Sequence, residues 1–162
     1  IISPGKCKLG AHPARMYREG KVGVVSKSGA LSYEVSKTLT DAGIGQSTVV
    51  ALGGGPIWGT TQLDVIKLFN EDPETGAIVL LGEIGGGTET AAAEYIAGHV
   101  RKPVVALIVG RAAPEGKSLG HAGAIIRGRA GTAESKMKAL EEAGALVATT
   151  PAGVVELIRK LG

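Results

Sequence analysis

Short apolar runs alternate with helical spacing along most of the chain. Aliphatic residues, many of them β-branched, cluster at 21–26, 47–52, 77–81, 103–109 and 145–149, each run bounded by Gly, Pro or polar residues. Short runs that are apolar at successive positions are the pattern of strands buried on both faces. Helical spacing marks 30–42, 61–70, 88–99, 132–143 and 152–161. Gly43 and Gly144 stand where a helix end favours a left-handed residue, and Thr132 precedes an Ala-Glu-Ser-Lys turn as an N-cap. Residues 1–20 hold Pro4, Gly5, Gly10, Pro13 and Gly20 with weak periodicity, and they read as an extended linker or arm before a domain over 21–162.

Strand–helix alternation with five strands predicts an α/β fold: a doubly wound, flavodoxin-like parallel sheet. In such sheets ligands bind beyond the carboxyl ends of the strands. The glycine-rich segments fall there, after the first four predicted strands.

Composition changes the picture in a few places. The 162 residues suffice for one domain with a real core, but only 3% are aromatic, so Val, Ile, Leu and Ala must build it. Gly is 26 of 162 residues, without a collagen-like period, which points to many tight strand-to-helix turns. The net charge of +3 is spread without a basic run or interleaved aromatics, which argues against nucleic-acid binding. No apolar stretch reaches membrane-spanning length. A single cysteine, Cys7, excludes an internal disulfide and suits a reducing compartment. The chain opens Ile1-Ile2-Ser3-Pro4-Gly5 without Met and reads as a piece of something longer.

Four segments carry candidate chemistry. Ser26-Lys27-Ser28-Gly29-Ala30 ends the first strand and opens a helix. Backbone N–H groups at Ser28, Gly29 and Ala30 would meet an anion there, although plain N-capping by Ser28 accounts for the segment taken alone without any ligand. Gly53-Gly54-Gly55-Pro56 either admits a ligand closely or is a surface loop. Glu83, in Gly82-Glu83-Ile84-Gly85-Gly86-Gly87, could orient an imidazole or be a solvated carboxylate. His121 lies among small residues, Gly120-His121-Ala122-Gly123-Ala124, inside a long segment over 111–129. Loops of that length in a compact domain are usually functional, and an uncrowded imidazole suits phosphoryl carriage. His12 and His99 are too far apart in sequence to suggest a metal site with His121, so no metal ligands are assigned. The charges of 132–143, including Glu134, Lys136, Lys138, Glu141 and Glu142, read as a solvated helix face.

Together Ser26-Lys27-Ser28-Gly29, Gly53–Pro56, Gly82-Glu83-Ile84-Gly85-Gly86, Lys102-Pro103-Val104-Val105 and Gly120-His121-Ala122-Gly123-Ala124-Ile125-Ile126 resemble the ligase domain of succinyl-CoA synthetase α subunits. These matches run along almost the whole chain in order. The resemblance implies an acid–thiol ligase forming ATP or GTP. In it His121 is transiently phosphorylated, Glu83 bonds the ring, and Ser28, Gly29 and Ala30 begin a phosphate-holding helix. Gly53, Gly54, Gly55, Tyr33, Gly85 and Gly86 would line the substrate loops.

The resemblance also implies CoA bound by a preceding domain not present here. A β subunit would supply ATP/ADP or GTP/GDP with Mg²⁺, and the remaining partners would be phosphate and a small carboxylic acid. The implied place is cytoplasmic, or the mitochondrial matrix in a eukaryote, and the chain alone is expected to be inert. Two positions depart from the family pattern, Ala30 replacing Thr and Gly55 replacing Asp. Both leave the acid open between succinate and the malate, citrate or acetate of related ligases. A non-catalytic binding or docking domain on the same fold is the alternative.

Overall fold

The computed structural model describes residues 1–55, 57–114, 116, 120–126 and 131–161. Pro56, residues 115, 117–119 and 127–130, and Gly162 lie outside the described residues. The elements in chain order are β1 (Ile2–Ser3), β2 (Cys7–Lys8), a 3-10 turn (Ala14–Met16), β3 (Glu19–Ser26) and α1 (Gly29–Asp41). There follow β4 (Gln46–Ala51), α2 (Gln62–Glu71), β5 (Ala77–Glu83), α3 (Thr88–His99) and β6 (Val104–Val109). The chain closes with α4 (Ala133–Glu142), β7 (Leu146–Ala148) and α5 (Pro151–Arg159).

The sheet has seven strands in the order β2-β1-β4-β3-β5-β6-β7, not the five expected. The five expected strands are all present and parallel, in the flavodoxin-like order. The two extra strands come from residues 1–20. There Ile2 pairs antiparallel with Val49 of β4, and β2 folds back on β1. Two-residue strands are too short to leave a period in the sequence. Burial of Ile2 and Tyr17, together with His12, holds this segment down. The His12 ring meets the edges of the Tyr17 and Tyr33 rings, and its Nδ1 lies 2.7 Å from the Tyr17 hydroxyl.

Alternate residues of the central strands feed two cores. Val25, Ile78, Leu80, Val104, Ala106 and Ile108 pack under α2, α3 and α4, while Val24, Val79, Leu81, Val105 and Leu107 pack under α1 and α5. Each fully buried aliphatic side chain contributes about 1.5–3 kcal/mol, so the sheet is stabilised from both faces without aromatics. Helix starts follow the sequence: Ser28, Thr61, Thr132 and Thr150 each accept a backbone N–H as N-cap, and Thr61 and Asp64 form a reciprocal capping box.

Strand β5 runs two residues further than expected, because Gly82 and Glu83 pair with Ile108 and Val109 of β6. Glu83 is therefore the last residue of a central strand, not a loop residue. From β3 the chain passes to β4 on one side, and β5 joins on the other. The carboxyl ends of β3 and β5 thus flank the crevice where a doubly wound sheet places its ligands.

Candidate active site

Glu83 and His121 meet at this crevice. Nδ1 of His121 lies 2.5 Å from Oε2 of Glu83. The carboxylate is buried, whereas the imidazole side chain keeps 32% of its surface exposed. A buried carboxylate facing one ring nitrogen selects the tautomer with the proton on Nδ1 and steadies the ring when it turns cationic.

The glycine loops explain how the ring reaches this position. A Cβ on Gly54 would collide with the His121 ring at Cγ and Nδ1, so what approaches Gly54 closely is the imidazole itself. Gly123 N–H donates to Gly54 C=O at 3.1 Å, fastening the two loops. Gly53 adopts φ +97°, and its carbonyl accepts from Trp58 Nε1 at 2.8 Å. Gly55 is half-buried, its carbonyl oxygen close to Gly123. Gly85, at φ +83°, lies under the 123–125 backbone and donates its N–H to Gly131 C=O at 2.8 Å, while Gly86 follows at φ +62°.

Ser28, Gly29 and Ala30 form the start of α1 beside the same crevice. Ser28 Oγ accepts from Leu31 N–H at 3.2 Å, and Ser28 N–H donates to Ser26 Oγ at 3.0 Å. This first turn therefore offers two N–H groups, those of Gly29 and Ala30, instead of the expected three. The Ser28 hydroxyl proton remains to be donated. Tyr33 lies one turn further along α1, its ring 5.3 Å from that of His12, at the contact between α1 and the amino-terminal segment.

Three charged residues that the sequence does not assign to the site lie behind Glu83. Lys136 was expected on a solvated face, yet it is fully buried. Its Nζ donates to Glu83 C=O at 2.7 Å, Gly85 C=O at 2.6 Å and Glu89 Oε2 at 2.5 Å. Burial pulls its ammonium pKa below the ordinary lysine value, against the opposing pull of Glu89. Glu89, also fully buried, accepts Glu83 N–H at 3.2 Å through Oε1. Lys27 Nζ lies 3.2 Å from that oxygen and 3.9 Å from Glu83 Oε1. The sequence carried a signal for two of them. Lys136 sits in helical phase with buried Ala133 and Leu140, and Glu89 in phase with Ala92, Ala93 and Ile96. A charge on an apolar stripe is the trace of a buried network.

Trp58 covers Lys27 with its ring centroid 5.0 Å from Nζ. Trp58 also lines a cavity of about 760 Å³ between β4 and α2, with Val50, Leu52, Leu68 and Phe69.

A family model described as CoA-ligase matches residues 25–146, a span from the end of β3 to the start of β7. The chain belongs to the CoA-ligase family. Among CoA-ligase relatives, it is 53% identical over 161 residues to the succinate–CoA ligase [ADP-forming] subunit alpha of Aquifex aeolicus. It is 56% identical over 161 residues to subunit alpha 1 of Archaeoglobus fulgidus. These matches cover 99% of this chain but only 53% and 55% of those proteins, so the chain spans about half their length. In structure it is similar to Methanosaeta concilii ATP citrate lyase in complex with (3S)-citryl-CoA. That match has a TM-score of 0.83 and 31% identity, covering 91% of this chain and 25% of that one. The dinucleotide-forming acetyl-coenzyme A synthetase 1 of Ca. Korarchaeum cryptofilum, with phosphate and ADP, matches at a TM-score of 0.60 and 28% identity, covering 81% and 28%. The CoA-ligase fold thus recurs within longer chains, and the seven-stranded sheet described above is its form here.

Proposed function

We propose that this chain is the phosphohistidine-bearing part of a nucleotide-forming succinate–CoA ligase α subunit. The observation that carries the reading is the 2.5 Å contact between His121 Nδ1 and Glu83 Oε2 at the carboxyl edge of the sheet. It supports a ring whose Nε2 is the nucleophile. Nε2 attacks the phosphorus of an acyl phosphate; the N–P bond forms as the acyl O–P bond breaks, and the carboxylic acid leaves as its anion. Nδ1 keeps its proton throughout, and Glu83 balances the charge of the ring. Attack by a terminal oxygen of the nucleoside diphosphate then breaks the N–P bond and restores the neutral imidazole. Gly29 and Ala30 N–H, with the Ser28 hydroxyl, would hold phosphate at the start of α1.

The remaining parts belong to the longer assembly. CoA is assigned to a preceding domain to which residues 1–20 connect, and nucleotide with Mg²⁺ to a β subunit. Among the described residues no three His, Cys, Asp or Glu side chains converge as a metal site. Succinate is the acid favoured by the named relatives, while the citrate-handling structural neighbour keeps a larger acid as the second reading.

The test is labelling of the full-length protein, paired with its β subunit, by ATP carrying radioactive γ-phosphate. Acid-labile, base-stable label that disappears in His121→Asn is expected. Equal labelling of that variant would refute the role of His121, and the turnover of succinate against citrate by the same complex would decide the acid.

A further inference from the structure

Glu83 is held at more points than a hydrogen-bond acceptor needs. Its N–H is taken by Glu89, its C=O by Lys136, and its free carboxylate oxygen faces Lys27. Four charges, two ammonium and two carboxylate, are thereby buried behind one imidazole. Buried ion pairs seldom stabilise a fold better than apolar residues of the same size. Their convergence on Glu83 therefore calls for another role.

Within the cluster the assignments are unequal. Lys136 uses three donors on three acceptors, which only an ammonium group possesses. It ties α4 to the end of β5 and to α3, and sets where Glu83 stands. Lys27 is different. Its Nζ is buried and forms no hydrogen bond, and Glu83 Oε1 likewise accepts none. The lysine acts on the carboxylate by charge alone, at 3.9 Å, in a slot that the Trp58 ring shields from water.

From this arrangement we infer that Lys27 is a positioning residue that holds the Glu83 carboxylate toward His121, against repulsion from Glu89, and thereby keeps the His121 proton on Nδ1. The inference rests on the phosphohistidine reading of the same site. Without the Lys27 charge, Glu83 and Glu89 would have only Lys136 to balance them. Repulsion between the two carboxylates would then turn Glu83 Oε2 away from Nδ1. Without a fixed acceptor at Nδ1 the single ring hydrogen moves to Nε2, which removes the lone pair that attacks phosphorus. Glu89 sets the strength of the effect, since it lies closer to Lys27 than Glu83 does.

The experiment uses the full-length protein with ring-¹⁵N histidine, the His121 signals being assigned by their loss in His121→Asn. Nitrogen shifts read the ratio of the two tautomers, and a parallel labelling time course with the β subunit and ATP reads phosphorylation. Wild type should hold the Nδ1–H form. Lys27→Met should shift the ring toward Nε2–H and slow phosphorylation by about 10- to 100-fold, the range for removing an outer partner of an oriented histidine. Lys27→Arg should recover the wild-type ratio. If Lys27→Met does not fold, Lys27→Gln keeps a polar end without the charge, and the same shift is expected of it. An unchanged tautomer ratio in a folded, uncharged variant overturns the inference, because a purely structural lysine would lower the melting temperature alone. Absence of His121 label in wild type would instead defeat the phosphohistidine reading, and the tautomer measurement would still stand.

Discussion

The imidazole of His121 is placed by what its neighbours lack as much as by what they offer. Gly54 leaves the space that the ring fills, and Gly54 has no positive φ, so alanine costs its backbone little. Gly54→Ala should therefore separate placement from folding. Its methyl group would push the ring off Glu83, and displacements of about 1 Å at a reacting group cost on the order of 100-fold in rate. Stability should change by less than about 1 kcal/mol, as for most substitutions outside a core. The check is phosphorylation rate beside thermal midpoint; a normal rate would show that the ring does not work from this position. His121 and Glu83 were legible in the sequence because small residues and a carboxylate at strand ends are local patterns. Lys27, Glu89 and Lys136 were not, since their convergence depends on β3, α3 and α4 packing together. Lys136 was misread because its neighbours Lys138, Glu141 and Glu142 do face outward.

Helices and strands were largely readable because each carries its own period and caps. The amino-terminal segment was not, for it is fastened by isolated contacts. Its main anchor, His12, is buried between Tyr17 and Tyr33, and burial pulls the imidazole pKa below 6.5, helped by the nearby amino terminus and Lys8. The same burial pushes the Tyr17 phenol up to about 12. Above pH 6.5 the histidine is neutral in both folded and unfolded chains. As pH falls from there toward the lowered folded value, the unfolded chain takes the proton first, so stability is lost. The slope is at most about 1.4 kcal/mol per pH unit for one group. Denaturant midpoints at pH 7.5 and 5.5 should drop on acidification in wild type and drop less in His12→Gln. Asp64 and Asp72, whose carboxyls are held low by hydrogen bonds from Thr61 and Thr75, act in a separate window below pH 3.8. Equal losses in both proteins would show that His12 is not the sensor.

Across the whole molecule, stability should follow distance from the centre of the sheet. Val24 and Val25 of β3, Val79 and Leu80 of β5, and Val105 and Ala106 of β6 are fully buried and paired on both sides. Their amides should exchange with deuterium last, those of β1, β2 and β7 much earlier, as read by mass spectrometry of short fragments. Uniform protection across the sheet would contradict that gradient. The fold class was legible at this scale because a parallel sheet needs apolar runs and crossover helices, and both repeat along the chain. The two antiparallel strands were missed because nothing repeats.

Those outer strands carry a further meaning. One border of the sheet ends in the two residues Cys7–Lys8 and the other in the three residues Leu146–Ala148. Neither border offers a row of unpaired amides long enough to template growth by a neighbouring chain. Lys8 adds a charge that discourages such stacking. Short borders of this kind disfavour edge-to-edge pairing of copies, the step from which amyloid-like polymers grow, even though the interior strands are rich in Val, Ile and Leu.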